Sequence, residues 1–156
     1  MPGQFKITTL CYIINDKSEV LLAMKKRGFG AGKWNGPGGK VEVNENPKES
    51  AIREVKEEIG LTMIAPEELG CIEFIWPADQ EDKNQLCYVY LTRQFVGDLQ
   101  ESDECLPKWF DLDQIPYHEM WDDDKYWYPE VLAGKKIKKR FFFDKDDKVL
   151  KWDDLN

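Results

Sequence analysis

The chain has 156 residues, of which 42% are apolar and 13% aromatic, enough for one domain with a real hydrophobic core. Its formal net charge of −8 argues against binding of nucleic acid or anionic membranes, because both require a basic surface. Neither a signal peptide nor an apolar run long enough to span a bilayer is present. We therefore predict a single domain over residues 1–156, monomeric and cytoplasmic, with mitochondria and nucleus as further compartments.

The N-terminal third reads as two strands followed by a glycine-rich loop. Residues 5–14 are rich in β-formers, a polar turn follows at 15–18, and residues 19–24 form a second apolar run. Six glycines then crowd into residues 28–39, around Phe29 and Trp34. Loops of this length are usually functional or disordered, and the two aromatic residues favour a functional loop.

A helix is predicted over residues 47–59. Asn46 suits the N-cap, Pro47 the first helical position, and Gly60 the stop. At 100° per residue the apolar side chains gather on one face, and three carboxylates, Glu54, Glu57 and Glu58, gather beside it.

The remaining chain predicts further strands at residues 69–76, 85–96 and 107–110. A second helix, capped by Asp122 or Asp123 and closed by Gly134, should be bent or shortened by Pro129. A hairpin ends the chain, and the lysine-rich run 135–140 is interpreted as an edge strand that resists aggregation, with a phosphate or partner site as the alternative. This order of elements predicts an α+β fold, with a mixed sheet and helices on both faces.

The four cysteines are scattered and form no CxxC pair, which predicts reduced, structural thiols. The single histidine, His118, has no nucleophile motif near it and is predicted to lie in a surface loop.

Two interpretations of the acidic helix remain open on pattern alone. Carboxylates three and four residues apart repel one another, which a solvated face tolerates and a bound cation offsets. Hard cations such as Mg²⁺ take oxygen ligands and are shared between carboxylates and substrate phosphates. The glycines at 36, 38 and 39 allow a ligand to approach the backbone closely, which favours the cation.

The segment from Gly39 to Leu61 resembles the signature of the Nudix hydrolases. That signature asks for Gly, five residues, Glu, seven residues, Arg-Glu, an aliphatic residue, any residue, Glu-Glu, any residue, Gly and an aliphatic residue. Every fixed position is filled here, by Gly39, Glu45, Arg53, Glu54, Val55, Glu57, Glu58, Gly60 and Leu61.

The resemblance implies an α-β-α sandwich and a hydrolase that cleaves nucleoside diphosphates linked to a further group, with Mg²⁺ as cofactor and Mn²⁺ as a substitute. It implies Glu54, Glu57 and Glu58 as metal ligands, joined by the Gly38 carbonyl and Glu104. Glu58 would be the catalytic base, with Glu104 as second candidate. Glu45 and Arg53 would form an ion pair that, with Gly39 and Gly60, holds the loop and helix together.

Two further runs, LLAMKKRGFGAGKWNGPGGKV and ESDECLPKWFDLDQIPYHEMWDDDKYWYP, resemble the animal 8-oxo-dGTP diphosphatase branch of this family. That likeness implies a small nucleotide substrate, an oxidised purine nucleoside triphosphate. It also implies a base pocket of Asn35, Trp121, Asp123 and Asp124, lined by Thr9 and Phe74, with Lys25 at the sugar or phosphate.

The residues named for the pocket suit a purine chemically. Trp121 offers a flat face for stacking, and the Asn35 amide offers both donor and acceptor. Of two adjacent buried aspartates one can stay protonated and donate to a purine oxygen while the other accepts. On pattern alone, the run Asp122–Asp124 also fits a helix cap and Trp121 fits a core position.

Two departures from the close relatives affect the loop shape. Pro37 stands where they carry Phe, and Asn44 replaces a common Gly. Two other functions therefore stay open: a Nudix hydrolase of a dinucleoside polyphosphate or methylated purine nucleotide, and a non-catalytic nucleotide-binding module. The second should have lost a signature glutamate, and none is missing.

Overall fold

Strands dominate the computed structural model, which describes residues 5–155. The strands are β1 (Lys6–Ile13), β2 (Glu19–Lys25), β3 (Trp34–Asn35), β4 (Leu61–Met63), β5 (Glu67–Ile75), β6 (Gln85–Thr92), β7 (Phe95–Gly97), β8 (Cys105–Asp111), β9 (Ile137–Phe143) and β10 (Val149–Asp154). The α-helices are α1 (Pro47–Ile59) and α2 (Asp124–Leu132), and short 3₁₀ turns cover Ala78–Lys83 and Tyr117–Glu119.

The largest sheet is mixed, as predicted. Its five strands lie in the order β1-β6-β5-β9-β10, with β1 parallel to β6, β5 parallel to β9, and the other pairs antiparallel. A second antiparallel sheet has the order β3-β2-β8, and β4 pairs with β7. The predicted strands at 5–14, 19–24, 69–76 and 107–110, and the terminal hairpin, are confirmed.

The two helices pack on opposite faces because side chains alternate along each strand. Cys11 and Ile13 of β1 pack with Ala51, Val55 and Ile59 of α1 in one core cluster. Tyr12, between them, and Ile14, directly after β1, belong to a second cluster that contains Trp127, Tyr128 and Val131 of α2. The predicted sandwich, with helices on both faces of the sheets, is confirmed.

Helix α1 has the predicted bounds. The Asn46 side chain accepts a hydrogen bond from the Glu49 amide at 2.8 Å, and Gly60 ends the helix with a φ of 83°. Its apolar residues Ala51, Val55 and Ile59 are buried, as the periodicity requires.

The prediction of one strand over residues 85–96 is wrong, because the chain turns after Thr92. The Thr92 hydroxyl donates to the Ile64 carbonyl at 2.8 Å and accepts from the Gln94 amide at 3.1 Å. This side-chain turn ends β6 and directs the next residues into β7. Residues 61–63 and 34–35 form short strands that the sequence pattern did not indicate.

Asp123 stands at the N-cap position of the second helix, one of the two residues predicted, but its side chain does not cap the helix. The Asp123 side chain makes no capping hydrogen bond, and Asp122 instead accepts from the Val149 amide of β10 at 2.9 Å. The helix has nine residues and contains Pro129, so it is short, as expected. Gly134 follows it with a φ of 81° and donates to the Val131 carbonyl.

The interpretation of the lysine-rich run as an edge strand is wrong. Strand β9 lies between β5 and β10, and Lys139 is buried, with ion pairs to Glu130 at 3.0 Å and Asp154 at 2.6 Å. The edge strand next to β9 is β10.

Three smaller predictions concern the cysteines, the single histidine and membrane-spanning segments. All four cysteines are free thiols, and His118 has an exposed side chain. Within residues 5–155, neither helix has the length and hydropathy needed to cross a membrane.

Gly70 allows β9 to pair with β5. It has a φ of 100° in an irregular stretch of β5, and a Cβ added there would lie 1.7 Å from the Ile137 carbonyl oxygen. Only glycine meets both demands.

We expect Gly70→Ala to lower the free energy of unfolding by at least about 3 kcal/mol, through steric clash added to backbone strain. The matched control is Gly134→Ala. Gly134 also has a positive φ, but an added Cβ would lie in open space, so this change should lower the free energy of unfolding by only about 1 kcal/mol. Urea unfolding measures both. Equal losses would show that close packing against Ile137 contributes nothing.

Candidate active site

A pocket of about 350 Å³ connects the acidic face of α1 with the start of α2. One end is lined by Glu54, Glu58 and Glu104, and the other by Trp121, Asp123 and Asp124. The structure also brings the other predicted substrate residues to its wall: Thr9, Lys25, Asn35 and Phe74. Of the predicted metal ligands only Glu57 lies outside the lining.

Gly38, in the loop before α1, lies so close to the backbone of β1 that a side chain there would clash with it, and Gly39 lies against the Glu54 carboxylate. A Cβ at Gly38 would lie 2.1 Å from the Thr9 carbonyl oxygen, and one at Gly39 would lie 2.6 Å from Cδ of Glu54. The Gly39 carbonyl accepts from the Thr9 amide at 2.9 Å, and its amide donates to the Thr9 hydroxyl at 3.2 Å. Gly38 and Gly39 are thus held beside the acidic end of the pocket.

Arg53 ties this loop to the helix. Its Nε and Nη2 donate to the two Glu45 carboxylate oxygens at 2.7 and 3.0 Å. Its Nη1 donates to Glu54 at 3.0 Å and to Glu57 at 3.2 Å. The Arg53 hydrogen bond holds the pKa of Glu45 down, at about 2. The ion pair implied by the resemblance is therefore present.

Glu58 is the buried member of the acidic group. Its Oε2 accepts a hydrogen bond from the Cys105 thiol, with a Sγ to Oε2 distance of 3.2 Å. Burial raises the pKa of Glu58 to about 8, and the charge on Glu54 adds to this, while the thiol opposes it. Burial also raises the pKa of Glu54, against the effect of Arg53. The two carboxylates therefore carry excess negative charge when both are ionised.

These residues fit a divalent cation. Glu58 receives no compensating bond from Arg53, and its thiol partner is neutral, so a cation would supply the missing positive charge. All the donors are oxygens, the type that Mg²⁺ and Mn²⁺ prefer. Within residues 5–155 no three acidic, thiol or imidazole groups converge as a preformed metal cage, and Glu57 is paired with Arg53 at 3.2 Å.

The other end of the pocket holds two buried aspartates. Asp123 is 3% exposed and Asp124 2%. Burial raises the pKa of Asp123 to about 6, against a hydrogen bond that Trp127 Nε1 donates to its Oδ2 at 2.6 Å. Burial and the neighbouring Asp123 charge raise the pKa of Asp124 well above its usual range. Burial therefore favours the protonated form of both carboxyl groups, and the neighbouring charge favours it further at Asp124.

Trp121 forms part of an aromatic wall. Its ring centroid lies 5.0 Å from that of Phe29 and 6.2 Å from those of Trp76 and Phe143. A Cβ at Gly30 would lie 3.3 Å from Trp121 Nε1, so the glycine-rich loop packs against this ring. Trp121 is partly exposed and lines the pocket, and is not a core residue.

The side chain of Asn35 is oriented by the backbone amide of the next residue, Gly36. Its side-chain oxygen accepts from the Gly36 amide at 2.9 Å, which leaves the side-chain NH₂ group to donate to a ligand. Thr9 is 2% exposed and is bonded to Gly39, and Phe74 is buried against Phe141 and Phe143. Lys25 is exposed at the end of β2.

Sequence reasoning missed several residues that line the pocket. They include Lys33, whose Nζ lies 5.5 Å from the Trp121 ring centroid, together with Trp76, Phe143 and Cys105. These residues come from separate strands and loops, so no local spacing reveals them. Phe29 and Trp34 were both noted in the glycine-rich loop, but only Phe29 faces the pocket, since Trp34 packs against Phe110 in the core.

A comparison with known families decides the identity of the fold. The profile of the NUDIX domain matches residues 4–131, more than four fifths of the chain. The chain belongs to the Nudix family. Nudix hydrolases generally use divalent metal ions and act on small nucleotide substrates, which agrees with the carboxylates and the pocket described above.

Individual Nudix relatives are similar over almost the whole chain. An oxidized purine nucleoside triphosphate hydrolase from Danio rerio is 41% identical over 145 residues, covering 93% of this chain and 91% of the relative. The protein of the same name from Mus musculus is 40% identical, covering 94% and 92%. The MutT crystal structure from Bacillus halodurans superposes with a TM-score of 0.83 at 24% identity, covering 96% and 97%, which supports the Nudix fold alone.

We expect the buried charge of Glu58 to cost stability as pH rises. With a folded-state pKa of about 8 against a usual value near 4.5, the folded protein holds a proton that the unfolded chain releases. In EDTA, the contribution of Glu58 should therefore be most favourable at low pH and be lost between about pH 4.5 and 8. Glu58→Gln should be increasingly stable relative to the unmodified protein over that range, measured by thermal unfolding.

Glu57→Gln is the control for this experiment, because it removes the same charge from a side chain that is 60% exposed. Its stability relative to the unmodified protein should change little with pH. Identical pH profiles for the two variants would contradict the burial argument.

Proposed function

We propose that this chain is a Mg²⁺-dependent hydrolase of oxidised purine nucleoside triphosphates, which converts 8-oxo-dGTP and 2-hydroxy-dATP to the monophosphate and pyrophosphate. The observation that carries the proposal is one continuous pocket with a carboxylate cluster at one end and a stacking ring with two buried aspartates at the other. The names of the zebrafish and mouse relatives, at 41% and 40% identity, support the same substrate class. Removal of these nucleotides would prevent their mutagenic incorporation into DNA.

The acidic end suits the triphosphate. Glu54, Glu57 and Glu58, with the Gly38 carbonyl and Glu104, would hold Mg²⁺, which supplies charge neutralisation and a bound water of lowered pKa. Glu58 is our candidate to accept the proton from the attacking water, and Glu104 is the second. The water oxygen forms a bond to phosphorus, the α–β anhydride bond breaks, and pyrophosphate leaves. Lys25 at the pocket rim would contact sugar or phosphate.

The other end suits an oxidised purine. The partly exposed Trp121 ring offers a face for stacking, worth about 1–3 kcal/mol per base. Protonated Asp124 can donate to a purine oxygen while ionised Asp123 accepts from ring N–H groups. The Asn35 amide donates to a further acceptor on the base. A pocket of about 350 Å³ suits a small nucleotide. The net charge of −8 on the whole chain favours a nucleotide bound together with cations and argues against nucleic-acid partners. We further propose that the enzyme is a monomer.

The direct test is pyrophosphate release from 8-oxo-dGTP and dGTP, side by side, with Mg²⁺ and with EDTA. We expect Mg²⁺-dependent release with strong preference for the oxidised nucleotide. Glu58→Gln should lower kcat by about 100-fold or more, because it removes a cation ligand and the proton acceptor. Glu119→Gln, the same change on an exposed surface residue, is the control and should have no effect.

Each outcome of this test points to a different part of the proposal. Full activity of a folded Glu58→Gln variant would overturn the assignment of the acidic end. Equal rates on the two nucleotides would overturn the base pocket and favour another Nudix substrate. Tight binding without release would indicate a binding module.

The stacking role of Trp121 is tested by truncation. Trp121→Ala should lower kcat/KM for 8-oxo-dGTP by about tenfold or more, mainly through KM, while Trp121→Phe should lose much less. Trp152→Ala removes an equal side chain from β10, away from the pocket, and should leave KM unchanged. An unchanged KM in Trp121→Ala would contradict stacking.

A further inference from the structure

Three buried polar atoms lie behind the base pocket without a hydrogen-bond partner among residues 5–155: the Tyr12 hydroxyl, the Tyr128 hydroxyl and Oδ2 of Asp124. Both tyrosines are 0% exposed and Asp124 is 2% exposed. Buried polar groups are almost always hydrogen-bonded, because an unpaired one costs about 1–3 kcal/mol. Three such groups in one region therefore require a shared explanation.

The three residues are neighbours. Asp124 and Tyr128 are four residues apart on α2, so their side chains lie on the same helix face. The Tyr12 ring lies against Tyr128, with 4.5 Å between ring centroids and an interplanar angle of 46°. The charge of Asp124 acts on both phenol groups and raises the pKa of each, after the larger effect of burial.

Tyr12 also forms the layer directly beneath the pocket wall. A Cβ added to Gly36 would lie 2.6 Å from Cε1 and 2.8 Å from Cζ of Tyr12. Cζ carries the hydroxyl, and Gly36 follows Asn35 in the pocket lining. The hydroxyl side of this ring therefore lies under the site where we place the purine.

Two donors and one acceptor in a closed region fit a single internal water. A buried water typically makes about three hydrogen bonds to groups that would otherwise be unpaired. None of the three atoms makes a direct hydrogen bond to another, so a bridging water is needed to pair them.

We propose that the Tyr12 and Tyr128 hydroxyls hydrogen-bond to Asp124 Oδ2 through a shared internal water, and that both tyrosines thereby determine which oxidised purines the aspartate pair accepts. This inference deepens the proposed function and rests on it. Neither tyrosine touches the base, so both act as positioning residues through Asp124.

The consequence follows from the proton on the aspartate pair. A purine with a 6-oxo group, such as 8-oxo-dGTP, accepts from protonated Asp124, whereas a 6-amino purine, such as 2-hydroxy-dATP, donates and requires Asp124 ionised. Hydrogen bonds donated to a carboxylate favour its ionised form. The water-linked hydroxyls therefore make the ionised form accessible and widen the substrate range to 6-amino purines.

Besides Tyr12 of β1 and Tyr128 of α2, the titratable groups that face Asp124 among residues 5–155 are Cys87 of β6, Tyr117 of the turn before α2, and Asp123. Tyr117 is only partly buried, and its hydroxyl is not among the buried atoms that lack a partner. Asp123 opposes ionisation of Asp124, and its own Oδ2 is bonded to Trp127. No lysine or arginine is among them.

The test is the ratio of kcat/KM for 8-oxo-dGTP to kcat/KM for 2-hydroxy-dATP in Tyr12→Phe, Tyr128→Phe and the double variant. Each change removes one hydroxyl and keeps the ring. We expect the ratio to rise by about fivefold in each single variant and further in the double variant, corresponding to one ordinary hydrogen bond each. Tyr126→Phe, a more exposed residue of the same helix, is the matched control and should keep the ratio unchanged.

A second measurement does not depend on catalysis. In ¹³C-carboxyl NMR titrations, the Asp124 midpoint should move to higher pH in the double variant and stay in place in Tyr126→Phe. If a folded double variant keeps both the kcat/KM ratio and the Asp124 midpoint of the unmodified protein, the inference is overturned. If the unmodified protein hydrolyses neither nucleotide, the proposed function fails, and the Asp124 midpoint alone then supports or overturns the link to the tyrosines.

Discussion

The ion pair between Arg53 and Glu45 holds the glycine-rich loop against the helix that carries the acidic side chains. Its two hydrogen bonds, at 2.7 and 3.0 Å, form the paired geometry that gives an arginine–carboxylate contact its directional strength. The same guanidinium reaches Glu54 and Glu57. Loss of Arg53 would therefore release the loop and leave neighbouring carboxylates uncompensated, whereas loss of Glu45 would release the loop alone.

Both ends of the pocket use pairs of carboxylates whose pKa values are raised by burial, but they call for different ligands. Glu58 is opposed by Glu54 and receives one weak thiol donor, so a cation relieves the repulsion. Among residues 5–155, no basic side chain acts on the pKa of Asp123 or Asp124, and burial favours the protonated form of both, so the pair can present a donor beside an acceptor. The first arrangement suits phosphates bound with metal, and the second suits a base edge.

Helix α1 was predictable from sequence because its signals are local. The Asn46 cap, the Pro47 start and the Gly60 stop act within a few residues, and the structure reproduces them. Contacts distant in sequence produced the errors. Thr92 ends β6 by bonding to Ile64, Asp122 bonds to Val149 instead of capping α2, and the order of strands buries β9. No window of sequence contains both partners of these contacts.

The contrast between local signals and distant contacts also explains which site residues could be predicted from the sequence. The spacing of the signature identifies residues such as Gly39 and Glu58, and the structure places both at the pocket. Trp121 and Trp34 are both tryptophans near turns, and only packing distinguishes the partly exposed ring at the pocket from the core ring against Phe110. Residue type alone does not tell which tryptophan lines the pocket and which lies in the core.

Strand β1 couples the two ends of the pocket through its alternation. Thr9 and Cys11 point to the side of α1, where Thr9 fixes Gly39 beside Glu54, while Tyr12 points to the side of α2 and lies beside Tyr128. A shift of β1 by one residue would exchange these faces and disturb both ends together. Its eight-residue parallel register with β6, from Lys6 opposite Gln85 to Ile13 opposite Thr92, prevents that shift. The sheet thus sets the distance between the acidic end and the base pocket before any ligand binds.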